Sequence, residues 1–115
     1  MVTLDDVRAV AGHLPRSYEV LVRHRVKFRV GRIVYLAFAR DETRMGFAFP
    51  KEEREALVTT YPYTFQLPKP SEMRFNWVVA RLEALDGGEV RDIVVDAWQM
   101  VVPKGVADAY LGSSD

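Results

Sequence analysis

Apolar and polar residues alternate most regularly between Arg25 and Val30, where Val26, Phe28 and Val30 interleave with Arg25, Lys27 and Arg29. Successive side chains of a strand point to opposite faces of its sheet, so this segment predicts a strand with one apolar and one cationic face. Gly31-Arg32 reads as a tight turn into Ile33-Val34-Tyr35-Leu36-Ala37-Phe38-Ala39, a second strand that is almost wholly apolar. The hairpin is expected to supply core on one side and a charged surface on the other.

Helical spacing dominates before it. Leu4, Val7, Val10, Ala11 and Leu14 recur on one face, Thr3 can cap the first turn, and Asp5 and Asp6 sit where the helix dipole favours negative charge, which predicts a helix over residues 4–13. Ser17 to Val22 fits either a short strand or an irregular link. After the hairpin, Arg40 to Thr43 reads as a polar turn, and Met45, Phe47 and Phe49 alternate with Arg44, Gly46 and Ala48 as a third antiparallel strand. Gly46 and Ala48 leave the opposite face of that strand nearly bare, open to close approach by a backbone, a partner or a ligand. Cover by a helix of the same chain is the simpler expectation.

Pro50 then opens a helix with an acidic first turn, its apolar side formed by Ala56, Leu57 and Val58, which stops near Tyr61-Pro62. Tyr63 to Leu67 reads as a short extended piece, and Pro68-Lys69-Pro70-Ser71-Glu72 as a loop, because proline interrupts regular elements. The apolar run Trp77-Val78-Val79-Ala80 suits a central strand. Asp86 and Glu89 have the spacing of a capping box, and Val90, Ile93, Val94, Ala97, Trp98 and Val101 form one face of the helix that follows, up to a stop or kink at Pro103. A short second helix from Gly105 to Leu111 and a frayed tail over residues 112–115 complete the reading.

The chain has 115 residues, 49% hydrophobic and 28% charged, with no cysteine. That is one domain of ordinary globular composition, α+β in class. No apolar run reaches the length of a membrane span, and no cationic segment followed by an apolar stretch marks a secretory signal, so a cytoplasmic location is expected. Absent thiols remove disulfides, thiol nucleophiles and thiolate metal sites. The formal charge is zero, yet residues 1–50 hold nine Lys and Arg against five Asp and Glu, while residues 51–115 hold seven against eleven. The basic half is the hairpin half.

Arg25, Lys27 and Arg29 project from one strand face at the two-residue repeat of about 6.6–7 Å, and Arg32 adds a fourth cation at the turn. About four phosphate contacts imply weak, nonspecific nucleic-acid binding. The alternative is a solvated face whose cations pair with acidic helices over 51–55 and 86–96. No aromatic residue interleaves with these cations on the same face, so the stacking platform of a single-strand binder is not visible there.

Catalytic chemistry is not indicated, and neither a metal nor a cofactor is expected. His13 and His24 have no metal-ligand spacing. Ser17, Ser71, Ser113 and Ser114 lack a nucleophile-elbow context. Glu52, Glu53 and Glu55 already have a structural reason to stand at a helix start, and Gly87-Gly88 lacks the ending of a phosphate-binding loop. Trp77, Trp98, Phe28, Phe38, Phe47, Phe49 and Tyr35 are read as core. The rival to nucleic-acid binding is a protein-interaction or small-ligand module using Gly46-Ala48 and the proline loop, or a homodimer through an exposed sheet edge.

The order of elements, together with Val26-Lys27-Phe28-Arg29-Val30-Gly31-Arg32, the Glu53 to Leu57 helix, Trp77-Val78, Arg81-Leu82, and Asp96-Ala97-Trp98 leading to Pro103-Lys104, resembles the MmcQ/YjbR family of small bacterial proteins. The resemblance spans nearly the whole chain. It implies a single antiparallel sheet with helices packed on it, the fold described as a double wing, and DNA binding in which the family's basic hairpin falls on Lys27 and Arg32 and its later basic segment on Lys104. The chain departs from the family pattern at Gly105-Val106, where relatives often carry a further cation, and at Ala48-Phe49-Pro50, where many carry a lysine.

Overall fold

The computed structural model describes residues 2–112. In chain order it contains α1 (Leu4–Ala11), β1 (Ser17–Val22), β2 (Arg25–Val30), β3 (Ile33–Phe38), β4 (Arg44–Ala48), α2 (Lys51–Thr60), β5 (Phe65–Gln66), β6 (Trp77–Arg81), α3 (Gly87–Gln99) and α4 (Lys104–Gly112). The strands form one six-stranded antiparallel sheet in the order β1-β2-β3-β4-β6-β5. The expected α+β class and antiparallel sheet are therefore present.

Ser17–Val22, undecided from sequence, is strand β1, paired along its whole length with β2. Its turn is made by Arg23 and His24, both at positive φ (52° and 67°). Tight hairpins require that backbone and usually recruit glycine or asparagine for it, so Arg-His gave no turn signal. At the next turn Gly31 stands at φ +59°, and a Cβ there would meet nothing within 4 Å; backbone conformation alone calls for glycine.

The β2–β3 register slips between Phe28 and Arg29: Phe28 faces Leu36, and Arg29 faces Val34. Tyr35 is the extra residue of a bulge, which lets the adjacent Tyr35 and Leu36 both turn into the core. There they join Phe28, Phe38, Phe47, Met45 and Val78 beneath α1 and α3. Phe28 meets Phe38 edge to face at 6.3 Å between centroids, and Phe47 meets Phe65 at 6.1 Å. Val90, Val94, Ala97 and Trp98 form the buried stripe of α3, and the Trp98 indole donates to the Pro15 carbonyl at 2.8 Å, tying α3 to the link after α1. The predicted capping box is made in both directions: Glu89 N–H donates to Asp86 at 2.8 Å and Asp86 N–H to Glu89 at 3.0 Å.

Three details differ from expectation. Helix α1 stops at Ala11, where Gly12 caps it. Helix α2 buries Arg54 while Ala56 is exposed, and only Leu57 and Val58 of its anticipated apolar side are half-buried. Pro70–Glu72 forms a single 3-10 turn within the proline loop, with Pro70 at a first position that needs no amide donor. The expected fraying at Ser113 to Asp115 lies outside the described residues; Gly112 ends α4. Among the described residues no helix is long and apolar enough to cross a membrane.

Candidate nucleic-acid interface

The sheet face opposite α1 and α3 carries the polar half of the alternation. Register places Lys27 beside Ala37, Ala37 beside Gly46, and Gly46 beside Val79, so the floor between the cationic strand and β6 consists of small side chains. Among the described residues no α-helix lines this floor, contrary to the expected helical cover. The Trp77 indole reaches across to Gly46, where an added Cβ would lie 2.5 Å from its Nε1. The open approach predicted at Gly46 is thus taken by a side chain three strand neighbours removed from the basic hairpin. Trp77 is half-buried on this face rather than a core residue.

The segment after β5 folds beside the floor and makes a wall, leaving a groove of about 340 Å³ whose cations are Arg25, Lys27, Arg44 and Lys69, with Glu72 as its one acidic group. A second hollow of about 440 Å³ adjoins it through Lys27, Ala37, Glu72 and Trp77 and is apolar in character, lined also by Val34, Phe75 and Met100. Neither α2 nor α3 neutralises this face. Among the described residues the ion pairs are both made by Arg8, with Asp5 at 2.9 Å and Glu19 at 2.8 Å, on the far side of the sheet. The pairing of hairpin cations with acidic helices, the alternative raised from sequence, does not occur among the described residues.

Of the sequence-predicted residues, Arg25 and Lys27 line the groove. Arg29 projects from the same strand face beside Val34 and Tyr18, half-buried, its Nε shielded from solvent without a hydrogen-bond partner. Arg32 is exposed at the β2–β3 turn, and Lys104 is exposed at the start of α4; neither lines the groove. Arg44 and Lys69 join the groove from elsewhere in the chain, and Arg81 stands directly across from Arg44 in the β4–β6 register. Like charges placed opposite one another on a sheet repel, and an anion over that row would relieve it. Sequence reading missed all three because they lie on separate elements; the signal available was the parity of Arg44 with Gly46 and Ala48, and of Arg81 with Trp77.

Arg54 sets the aromatic edge of the site. Only 7% exposed, its guanidinium donates to the carbonyls of Phe75 at 2.8 Å, Trp77 at 3.3 Å and Met73. This clamp fixes the stretch that presents Phe75 and Trp77. Phe75, 51% exposed, carries the Arg74 guanidinium 4.7 Å from its ring centroid, and Tyr63, 65% exposed, carries that of Arg81 at 5.8 Å.

The candidates weighed for other chemistry are dispersed. His24 forms the β1–β2 turn and His13 follows α1. Ser17 shares a hydrogen bond of 2.5 Å with Tyr35, whose phenol burial pushes up to about 12 against the opposing effect of that bond. Ser71 is in the 3-10 turn, and Ser113 and Ser114 lie outside the described residues. Among the described residues no cluster of three or more His, Asp or Glu could hold a metal ion.

The family model for YjbR matches residues 12–100. The chain belongs to the YjbR family. The resemblance read from the hairpin, the tryptophan strand and α3 is therefore one of family membership, while Pro103-Lys104 lies beyond the matched residues. The crystal structure of Deinococcus radiodurans protein DR2400, a DUF419-domain protein, is similar in fold: TM-score 0.77 at 22% identity, covering 97% of this chain and 89% of that one. No curated protein matches the chain.

Proposed function

We propose that this YjbR-family protein is a non-catalytic nucleic-acid-binding module whose open sheet face contacts phosphates weakly and without sequence preference. The observation that carries the reading is a groove holding Arg25, Lys27, Arg44 and Lys69 with no ion-paired carboxylate on any of them among the described residues. Cations already neutralised within the fold would have little left for a polyanion; these make no ion pair among the described residues, although Glu72 shares the groove and Asp41 lies within electrostatic reach of Arg44. Because each phosphate contact releases condensed counterions, about four contacts give a log-log salt slope near −3.6 on duplex and near −2.8 on single strands.

The test is a titration of labelled random-sequence DNA, duplex and single-stranded, at about 50 and 200 mM salt. An Arg25→Glu/Lys27→Glu/Arg44→Glu variant runs alongside. Salt-sensitive binding that disappears in the variant supports the reading. Absence of binding at the lower salt removes it.

A further inference from the structure

We infer that the face is built for single-stranded rather than duplex nucleic acid, with a base seated in the apolar hollow at Trp77 and its flanking phosphates in the cationic groove. The inference rests on the proposed function and specifies its ligand. Its basis is the join between the two hollows. They share Lys27, Ala37, Glu72 and Trp77, so the two adjoin along those residues as a trough that is cationic at one end and aromatic at the other, with Glu72 as the acidic group at the join.

A duplex keeps its bases stacked and shows a protein its phosphates and the edges of its bases, not the base faces. A half-buried indole at the bottom of a concave trough cannot meet them face to face. A single strand can splay a base onto an aromatic ring while its backbone follows a cationic track, which is the chemistry present here. Trp77 supplies the ring within the trough, and Phe75 at its apolar end supplies a second, more exposed ring, one face of it covered by the Arg74 guanidinium and the other left for a base. The stacking platform that the hairpin lacks comes from β6 and the segment before it. Asn76 lines the same hollow and accepts from the Lys51 amide at 3.0 Å, which holds that segment to the start of α2.

The two tryptophans separate the readouts. Trp98 is fully buried and hydrogen-bonded to Pro15, so quenching of intrinsic fluorescence by an added strand reports Trp77. The experiment titrates the full chain with a 20-mer of thymidylate and with a random duplex of equal length at about 50 mM salt, following fluorescence and the anisotropy of labelled DNA. The expected result is single-strand binding at least about tenfold tighter than duplex binding, with quenching. Trp77→Ala should lose about 5- to 150-fold of single-strand affinity, the value of one stacked base, and lose less on duplex than on single strand.

Phe75→Ala, at an exposed ring, provides a second variant and decides the matter if Trp77→Ala does not fold. Loss of single-strand preference in Phe75→Ala supports the inference. Equal affinity for both DNA forms, or equal loss on both in the aromatic variants, overturns it and leaves the phosphate-binding reading standing. No binding of either form overturns both.

Discussion

Replacing Arg54 by methionine removes the clamp that holds the aromatic rim while keeping most of the side-chain volume. Arg54 is 7% exposed, and its guanidinium serves the carbonyls of Met73, Phe75 and Trp77 with no ion-paired carboxylate among the described residues. A hydrogen bond to a charged group contributes about 1.5–3 kcal/mol, and the bonds to Met73 and Phe75 are the close ones. Methionine also abolishes the desolvation cost of a buried cation, which offsets part of the loss. The net expectation is a destabilisation of about 2–4 kcal/mol, large against the total of about 5–15 kcal/mol typical of a domain.

Urea unfolding followed by far-ultraviolet circular dichroism measures it, with the slope held constant so that the midpoint reports stability. Lysine at the same position should recover no more than about half, since an ammonium lacks the planar fork that spans several carbonyls. Single-strand affinity should fall in parallel, because Phe75 and Trp77 are carried on the freed segment. A stability change below about 0.5 kcal/mol in Arg54→Met, the range of ordinary surface substitutions, would refute the clamp.

Other perturbations probe the remaining links between sequence and site. Gly46→Ala puts a methyl 2.5 Å from the Trp77 indole, and the overpacking cost of about 1–3 kcal/mol outweighs the 0.5–1 kcal/mol gained by removing a strand glycine; lowered stability and altered tryptophan emission are expected. Asp86→Ala removes one half of the α3 capping box and should cost about 1 kcal/mol in chemical denaturation. Tyr35 holds its proton to about pH 12 in the folded chain, whereas an unfolded tyrosine releases it near pH 10. Between those values the folded state binds more protons, so its contribution is intact below about pH 10 and declines at up to about 1.4 kcal/mol per pH unit above it. Tyr35→Phe should flatten that alkaline decline relative to wild type in urea melts taken at successive pH values.

What could be read in advance was local. The alternation through Val26 to Val30, the glycine at 31, the capping box at Asp86 and Glu89 and the apolar stripe of α3 each depend on neighbours a few residues away, and each was legible. Strand β1 was not, because its turn is made by Arg23 and His24 without the usual turn residues. The Tyr35 bulge was also hidden, since two adjacent core residues look no different from an alternating strand that happens to be apolar on both faces. The site itself was half visible. Arg25 and Lys27 lie on one periodic strand, but Arg44 and Trp77 meet them only through the β2-β3-β4-β6 order, and Lys69 only through the segment that follows β5. Arg54 shows the same limit: its position among Glu52, Glu53 and Glu55 reads as a solvated helix start, and only tertiary packing turns it inward.

The most direct test of the cationic face is the salt dependence of DNA binding, measured by fluorescence anisotropy at about 50 and 200 mM salt with wild type and the Arg25→Glu/Lys27→Glu/Arg44→Glu variant, each checked for an intact thermal transition. Four phosphate contacts predict that wild-type affinity falls by about 50- to 150-fold across that interval, and that the folded variant binds neither DNA form. Wild-type binding that is insensitive to salt, or a folded variant that binds as tightly as wild type, would contradict the account.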